Sequence, residues 1–157
     1  MTRILGMAVA LLALATAGCA AGSFLVGAQM HDTGAPAGAS AIYTIATCES
    51  LTGAAPVAGP AGTQYYLELG GAQPSLYELD ASGNGARIVN HWTDAEGDHF
   101  FTYVKTSGAW HYVIPKDAAQ PAMRFAYEAK GTWDTVTEGG VIKPTGNPSW
   151  KCPLAKK

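Results

Sequence analysis

Short stretches of β-branched and aromatic residues follow one another from position 40 to the C-terminus, separated by small or turn-forming residues. Branched and aromatic side chains favour strands because they pack well on a pleated surface. No segment of this region repeats its apolar residues with the period of a helix. The pattern predicts strands at Ala41–Thr47, Gln64–Leu69, Ser75–Leu79, Arg87–Trp92, His99–Lys105, Trp110–Ile114, Met123–Ala129 and Trp133–Thr137.

The connections between these strands are short and rich in glycine, as at Gly70-Gly71, Glu96-Gly97 and Ser107-Gly108. Such sequences are typical of the tight turns that join neighbouring antiparallel strands. We therefore predict an all-β fold, either an antiparallel β-sandwich or a small up-and-down β-barrel of about eight strands. Residues 40–157 are assigned to a single β domain.

The N-terminus has a different pattern, in which Arg3 precedes an uncharged run over 4–18 that ends in small residues and Cys19. This order is typical of a secretion signal. The run is shorter than the ~20 apolar residues that a membrane-spanning helix requires. We therefore predict a signal peptide at 1–18 and an exported chain.

Residues Ala15-Thr16-Ala17-Gly18-Cys19 resemble the lipobox of bacterial lipoproteins, with Thr16 where leucine is commonest. The resemblance covers this segment alone. It implies that Cys19 becomes a lipidated N-terminus and that 19–39 forms the lipidated end and tether of a membrane-anchored protein. In a cell with two membranes, Ala20 favours the outer one, because the aspartate that commonly retains lipoproteins at the inner membrane is missing. The alternative is a secreted, soluble protein cleaved after Ala17.

Most residues between 20 and 39 are small or turn-forming, and the stretch 32–38 in particular is typical of a flexible lead-in. The apolar run Phe24-Leu25-Val26 interrupts this composition. For that run, the alternative to a tether is a short edge strand of the β domain.

The chain contains three cysteines. Lipidation of Cys19 leaves Cys48 and Cys152 as an even pair, and exported domains commonly keep such pairs oxidised. The pair lacks the close C-x-x-C spacing of a metal or redox site. We predict a structural disulfide between Cys48 and Cys152.

Charged residues make up only 14% of the chain, and the formal net charge is −2. No basic run is present, which argues against nucleic acid as a partner and against electrostatic binding to anionic lipid. Low charge combined with many glycines, alanines and aromatic residues is typical of a turn-rich β protein rather than a disordered one.

Three histidines, His91, His99 and His111, lie in two adjacent predicted hairpins and are the first candidates for a metal site. A two-residue turn at Ser107-Gly108 would pair Val104 with His111. Because side chains alternate between faces, this pairing places His99 and His111 on opposite sides of the sheet. We therefore expect that these two histidines do not share one ion.

The loop before His99 determines where His91 lies. A two- or four-residue loop places His91 on the same face as His111, but two strands away from it. A five-residue loop at 94–98 instead brings His91 diagonal to His99. Its acidic residues then stand nearby, and a metal site becomes the alternative, with candidate ligands His91, His99, Asp94 and Asp98 and with Glu96 beside them. We favour an acidic, solvated hairpin tip that holds no metal or other cofactor.

Aromatic residues are concentrated in the second half of the chain, which holds all four tryptophans. On the pairing above, Phe101, Tyr103, Trp110 and Tyr112 share one face of the sheet. The favoured interpretation of this face is hydrophobic core. The alternative is a concave surface that takes an apolar ligand, a glycan or a partner protein.

Catalytic motifs are missing from the sequence, which contains no G-x-S-x-G. Glu68, Glu78 and Glu128 each lie in a predicted strand, and a glycosidic carboxylate pair is one interpretation. In alternating strands, such residues more often face solvent, and we predict no enzyme. The favoured function is an envelope lipoprotein that binds an apolar or glycan-like ligand. The alternatives are an accessory subunit of an envelope protein complex and a hydrolase with an unrecognised site.

Overall fold

A computed structural model describes residues 25–31, 39–104, 108–128 and 134–157. The predicted signal peptide and Cys19 lie outside the described residues. The strands are β1 Leu25–Val26, β2 Ala28–His31, β3 Ala39–Ile45, β4 Thr47–Ser50, β5 Val57–Ala58, β6 Gln64–Glu68, β7 Ser75–Leu79, β8 Gly85–Ile88, β9 His91–Thr93, β10 Gly97–Val104, β11 Gly108–Pro115, β12 Ala122–Tyr127, β13 Thr135–Glu138, β14 Val141–Pro144 and β15 Trp150–Lys156. Within the described ranges, the chain has no helix of the length and apolarity needed to cross a membrane.

One large antiparallel sheet forms most of the molecule, in the order β1-β10-β11-β12-β15-β3-β6-β7-β8-β2. Its two end strands, β1 and β2, follow each other in the chain and are separated only by Gly27. The sheet therefore curls back on itself into a nearly closed barrel. The fold confirms the predicted all-β class, and the barrel alternative describes it.

The turn at Gly27 holds the two ends of the sheet together. Its φ of 81° lies in the left-handed region, and a Cβ atom there would stand 2.7 Å from the carbonyl oxygen of Phe101. The Thr102 hydroxyl donates a hydrogen bond of 2.8 Å to the carbonyl of Val26, which fixes β1 against β10. Glycine is required here because two strands approach each other closely.

The segment predicted as a tether contributes to this closure. Leu25–Val26 pairs with β10, as the edge-strand alternative predicted, and Ala28–His31 pairs with β8. The tether over 19–39 therefore does not hold for residues 25–31. The residues of β2 are not strong strand formers, so the composition of this segment did not indicate a strand. Pairing with β8 places β2 in the sheet.

Most of the other predicted strands are present within a few residues, and the differences have local causes. The predicted strand Arg87–Trp92 is divided into β8 and β9, because the Asn90 side chain leaves the ladder and donates to the carbonyls of Phe101 and Ile142. The predicted strand at 133–137 corresponds to β13, which forms a separate two-stranded sheet with β14. Trp133 itself lies outside the described residues.

Side chains that alternate along each strand fill the interior of the barrel. Tyr65, Leu76, Ile88, Phe100 and Tyr112 are fully buried there. Large aromatic rings occupy the middle of the barrel, so any space for a ligand lies towards its ends.

A disulfide joins Cys48 on β4 to Cys152 on β15, with the sulfur atoms 2.04 Å apart. The predicted cysteine pair is therefore confirmed. β15 also pairs with β12 on one side and with β3 on the other, so it connects the two halves of the sheet. The disulfide therefore fastens the strand that joins the two halves of the sheet.

Candidate functional site

The register between β10 and β11 determines which side chains meet. Tyr103 pairs with Ala109, and Phe101 pairs with His111. The prediction of a two-residue turn, with Val104 opposite His111, is wrong because β10 and β11 are joined by a longer connection. A shift by an odd number of residues moves every side chain of one strand to the other face relative to its neighbour.

This register separates the four aromatic residues that were predicted to share a face. Phe101 and Tyr103 point outward, with ring centroids 6.0 Å apart, whereas Trp110 and Tyr112 point into the barrel. A single binding surface made of all four is therefore ruled out. Phe101 and Tyr112 are buried, as the core interpretation expected. Trp110 is partly exposed and stands at one end of the interior.

Two charged residues point into the barrel beside these rings. Glu78 on β7 is directly opposite Tyr65, and Arg124 on β12 is directly opposite Tyr112. Glu78 points inward because Leu76, two positions before it on β7, belongs to the core. Arg124 points inward because Cys152, its partner on β15, also belongs to the core. Glu78 was expected to face solvent with Glu68 and Glu128, and for Glu78 this expectation is wrong.

A network of polar contacts holds this pair. The Tyr112 hydroxyl donates to Glu78 Oε2, and Arg124 Nη1 donates to the Tyr65 hydroxyl at 3.0 Å. Arg124 Nη2 lies 3.9 Å from Glu78 Oε1. The guanidinium also stacks over Trp110 at 5.3 Å from the ring centroid. The buried guanidinium of Arg124 therefore lies beside the Glu78 carboxylate, which is only partly buried.

Burial and the neighbouring oxygens set the protonation of this network. Burial raises the pKa of Tyr112 well above its usual value, and it raises that of Tyr65 as well. For Arg124, burial acts to lower the pKa, but Tyr112 and Glu78 outweigh it and the net change is upward. The two tyrosines therefore stay neutral donors or acceptors, and Arg124 stays charged.

A cavity of about 160 Å³ opens at this end of the barrel. Glu78 faces it, together with the indole of Trp110 and mainly small or apolar side chains. Its lining consists of Leu25, Thr63, Glu78, Asp80, Asn84, Gly85, Ala86, Ile88, Thr102 and Trp110. We call this the mouth cavity. An apolar chamber with a few polar groups at its base is the usual form of a small-molecule site.

A larger cavity of about 440 Å³ lies at the opposite end of the barrel, beneath the loop from Pro115 to Pro121. Among the described residues that line it, Lys156 alone carries a charge, and its side chain is exposed. Its described lining includes the buried phenol of Tyr43 but no buried charged group that would orient a ligand. The mouth cavity is therefore the better candidate site.

The outer face of β9, β10 and β11 carries a second polar cluster. His99 Nδ1 lies 3.0 Å from His111 Nε2, and His99 Nε2 lies 2.9 Å from Asp94 Oδ1. The indole of Trp92 stacks on His99 with ring centroids 4.9 Å apart. The prediction that His99 and His111 lie on opposite faces is wrong, for the same reason of register.

The predicted metal candidates divide into two separate pairs. The loop before β10 has four residues between the paired Thr93 and Asp98, as one predicted alternative had it. His91 is consequently opposite Phe100 on the inner side, whereas His111 is on the outer side, so the expectation that this loop places His91 on the face of His111 is wrong. The Nε2 atom of His91 lies 3.0 Å from Asp98 Oδ1. His99 and Asp94 meet on the outer side. The four candidates do not converge on one point.

Electrostatics at the outer cluster favour a neutral His111 beside a charged Asp94. Burial, with a contribution from His99, lowers the pKa of His111 to about 4. Burial acts to raise the pKa of Asp94, but hydrogen bonds from the Glu96 amide and from His99 outweigh it, and the net change is downward.

Arg124 is the functional candidate that sequence reasoning missed, and Glu78 was considered only as a glycosidic carboxylate that was expected to face solvent. The available signal was alternation along β7 and β12, in which Glu78 follows Leu76 by two positions and Arg124 lies between Met123 and Phe125. Glu68 instead accepts a hydrogen bond of 2.8 Å from the Tyr77 hydroxyl, and Glu128 is exposed. The carboxylates considered for glycosidic chemistry therefore do not form a pair.

No protein-family model, no curated protein and no solved structure matches this chain.

Proposed function

We propose that this chain is an exported, non-enzymatic binding module, held at a membrane by lipid on Cys19. Its mouth cavity takes a small ligand with an apolar body and a cationic or hydrogen-bond-donating group. The observation that carries the proposal is the Glu78 carboxylate at the base of an apolar chamber, held from behind by Tyr112 and Arg124. The same site admits the apolar and glycan-like ligands that the sequence favoured.

Cavity size limits the ligand. A cavity of about 160 Å³ resembles in volume an apolar cavity of roughly 150 Å³ that binds benzene in another protein. A single ring with a short substituent therefore fits, whereas a long acyl chain does not. Trp110 offers a flat apolar surface for such a ring.

Charge determines the preferred substituent. Glu78 and Asp80 both line the mouth cavity, whereas Arg124 does not and is covered by aromatic rings. A bound amine would donate to Glu78 Oε1, whose one charged partner among the described residues is Arg124 at 3.9 Å. The lining therefore favours a cation over an anion.

The position of the mouth cavity agrees with anchoring at Cys19. Leu25 lines the cavity, and the chain between Cys19 and Leu25 spans at most roughly 22 Å when fully extended. A lipid on Cys19 would keep the mouth close to the membrane surface, where amphipathic small molecules collect.

Ligand binding can be measured by calorimetry with benzylamine, benzyl alcohol and benzoate. We expect benzylamine to bind most tightly and benzoate least, because the amine forms a charge-assisted hydrogen bond with Glu78. Glu78→Gln should weaken benzylamine binding by about tenfold or more, since a hydrogen bond to a charged group is worth about 1.5–3 kcal/mol. Binding of benzyl alcohol should change little.

Glu68→Gln is the matched control, because Glu68 bonds to Tyr77 on the outside of the barrel and does not line the mouth cavity. It should leave all three affinities unchanged. A methyl hexoside tests the glycan-like alternative in the same assay. Equal binding of benzoate and benzylamine, or equal losses in the two variants, would count against the proposal.

Anchoring is tested separately by Cys19→Ser. We expect the wild-type chain in the membrane fraction, carrying label from radioactive palmitate, and the variant in the soluble fraction without label. The membrane-bound share should fall by about tenfold or more, because stable attachment requires several acyl chains. A wild-type chain that is soluble, carries no label and begins at Gly18 would support plain secretion instead.

A further inference from the structure

We propose that Asp94, Glu96 and His99 bind one divalent transition-metal ion at the turn between β9 and β10. Their ligand atoms all lie within 4.8 Å of one another. His99 Nε2 is 2.9 Å from Asp94 Oδ1 and 3.9 Å from Glu96 Oε2. Neighbouring ligand atoms around an ion such as Zn²⁺ stand roughly 3–3.5 Å apart, given metal–ligand bonds of roughly 2.0–2.2 Å. The observed separations lie on either side of that range.

His99 is held in the orientation that a ligand needs. Its side chain is buried, stacks on Trp92 with an interplanar angle of 9°, and meets His111 through its other ring nitrogen. Metal-binding histidines almost always donate their second ring N–H to a fixed acceptor. His111 Nε2 is such an acceptor, at 3.0 Å.

The direction of the hydrogen bond between the two histidines decides what the carboxylates face. When His99 Nδ1–H donates to His111, His99 Nε2 carries a lone pair that points towards Asp94 and Glu96. His99 Nε2 and one carboxylate oxygen each from Asp94 and Glu96 then face one another. These three electron-rich atoms repel one another, so a cation is needed between them. Metal binding would select this arrangement. The reverse arrangement, in which His99 Nε2–H donates to Asp94, is the metal-free state.

The backbone of the turn is fixed by its neighbours. The Asp94 N–H donates to the Gly97 carbonyl at 3.0 Å, and the Glu96 N–H donates to Asp94 Oδ1 at 2.8 Å. The Lys116 backbone amide donates to the Glu96 carbonyl, and its ammonium group donates to the Asp94 carbonyl rather than to the carboxylate. The turn therefore holds the Asp94 carboxylate, and both carboxylates are accessible to solvent.

The ligand set indicates the class of ion. One imidazole with two carboxylates suits Zn²⁺, Mn²⁺, Co²⁺ or Ni²⁺, whereas Ca²⁺ and Mg²⁺ prefer oxygen ligands alone. Water would complete the coordination on the exposed side. This site lies on the outer face at the end of the barrel opposite the mouth cavity, so it is independent of the proposed ligand.

The test is a titration of the full chain with Zn²⁺ by calorimetry and with Co²⁺ by visible absorption. The chain carries Cys19→Ala and no polyhistidine tag, so that neither a free thiol nor a tag competes for the ion. We expect one ion per chain. Glu96→Gln, Asp94→Asn and His99→Gln should each weaken binding by about tenfold or more.

His91→Gln is the matched control, because His91 pairs with Asp98 on the inner side. It should leave the affinity unchanged. Glu96 is an exposed turn residue, so Glu96→Gln tests the site even if the His99 variant fails to fold. Less than stoichiometric binding by the wild-type chain, unchanged binding by Glu96→Gln, or an equal loss with His91→Gln would overturn the proposal.

Discussion

The double substitution Cys48→Ala/Cys152→Ala should lower the free energy of unfolding by about 3–5 kcal/mol, one of the two largest effects we expect for this chain. The disulfide closes a loop with a sequence separation of 104 residues. In the chain-entropy model, a loop of about 100 residues contributes roughly 4.7 kcal/mol by restricting the unfolded state. Strain and residual structure in the unfolded state reduce this figure, which gives the lower end of the range.

Urea denaturation followed by circular dichroism and tryptophan fluorescence measures the loss. The wild-type chain unfolded in the presence of a thiol reductant should show the same midpoint as the double variant, because both lack the covalent bond. A midpoint unchanged by both treatments would mean that β15 is held by its ladder with β12 and β3 alone. A loss in the variant without one under reduction would instead point to packing of the buried sulfur atoms.

The fold class could be predicted because it depends on local signals. Alternating branched and aromatic residues between glycine-rich turns indicate antiparallel strands wherever they occur. The last strand, β15, lacks those signals, since Trp150–Lys156 contains Pro153 and two lysines. Its position depends on pairing with β12 and β3 and on the bond to Cys48. These contacts are distant in sequence and leave no local pattern.

The candidate sites could be predicted only in part. The sequence indicated Asp94, Glu96 and His99 as one alternative, but the partner of His99 and the grouping of the aromatic residues depend on register. The β10–β11 connection is longer than the glycine signal at Ser107-Gly108 indicated, and the odd shift reversed which side chains share a face. That one difference brings His99 to His111 and separates Phe101 from Tyr112. The connection before β10 was predicted as one of several alternatives, and the four-residue form is the one present.

The charged pair Glu78 and Arg124 shows a second reason why the sequence did not predict the site inside the barrel. Glu78 and Arg124 each occupy an ordinary position in an alternating strand, where a charged residue usually marks the solvent side. Here, both strand faces point into the barrel, and the two charged groups lie 3.9 Å apart. Glu78 accepts a hydrogen bond from Tyr112, and Arg124 donates one to Tyr65. Only closure of the sheet brings them together, and closure is a property of the whole chain.

Arg124→Leu should destabilise the chain by about 3 kcal/mol, measured by urea denaturation. Removing one partner of a buried ion pair costs about 3–5 kcal/mol, because the other charge is left uncompensated. We expect the lower end, since the side chain of Glu78 remains 32% exposed and water can reach it. Tyr65 also loses the donor of its hydrogen bond, which adds to the cost.

The second substitution in a double-variant cycle separates charge from packing. Glu78→Leu combined with Arg124→Leu should recover most of the lost stability, because replacing a buried ion pair by apolar residues is often close to neutral. Arg87→Leu is the matched control: Arg87 stacks over Tyr77 on the outside of the barrel and donates to the Ser75 hydroxyl at 2.7 Å, so its loss should cost about 1 kcal/mol. If the double variant were as unstable as Arg124→Leu alone, the contribution of Arg124 would lie in its stacking on Trp110, Tyr65 and Tyr112. The carboxylate at the base of the mouth cavity would then need no cation behind it.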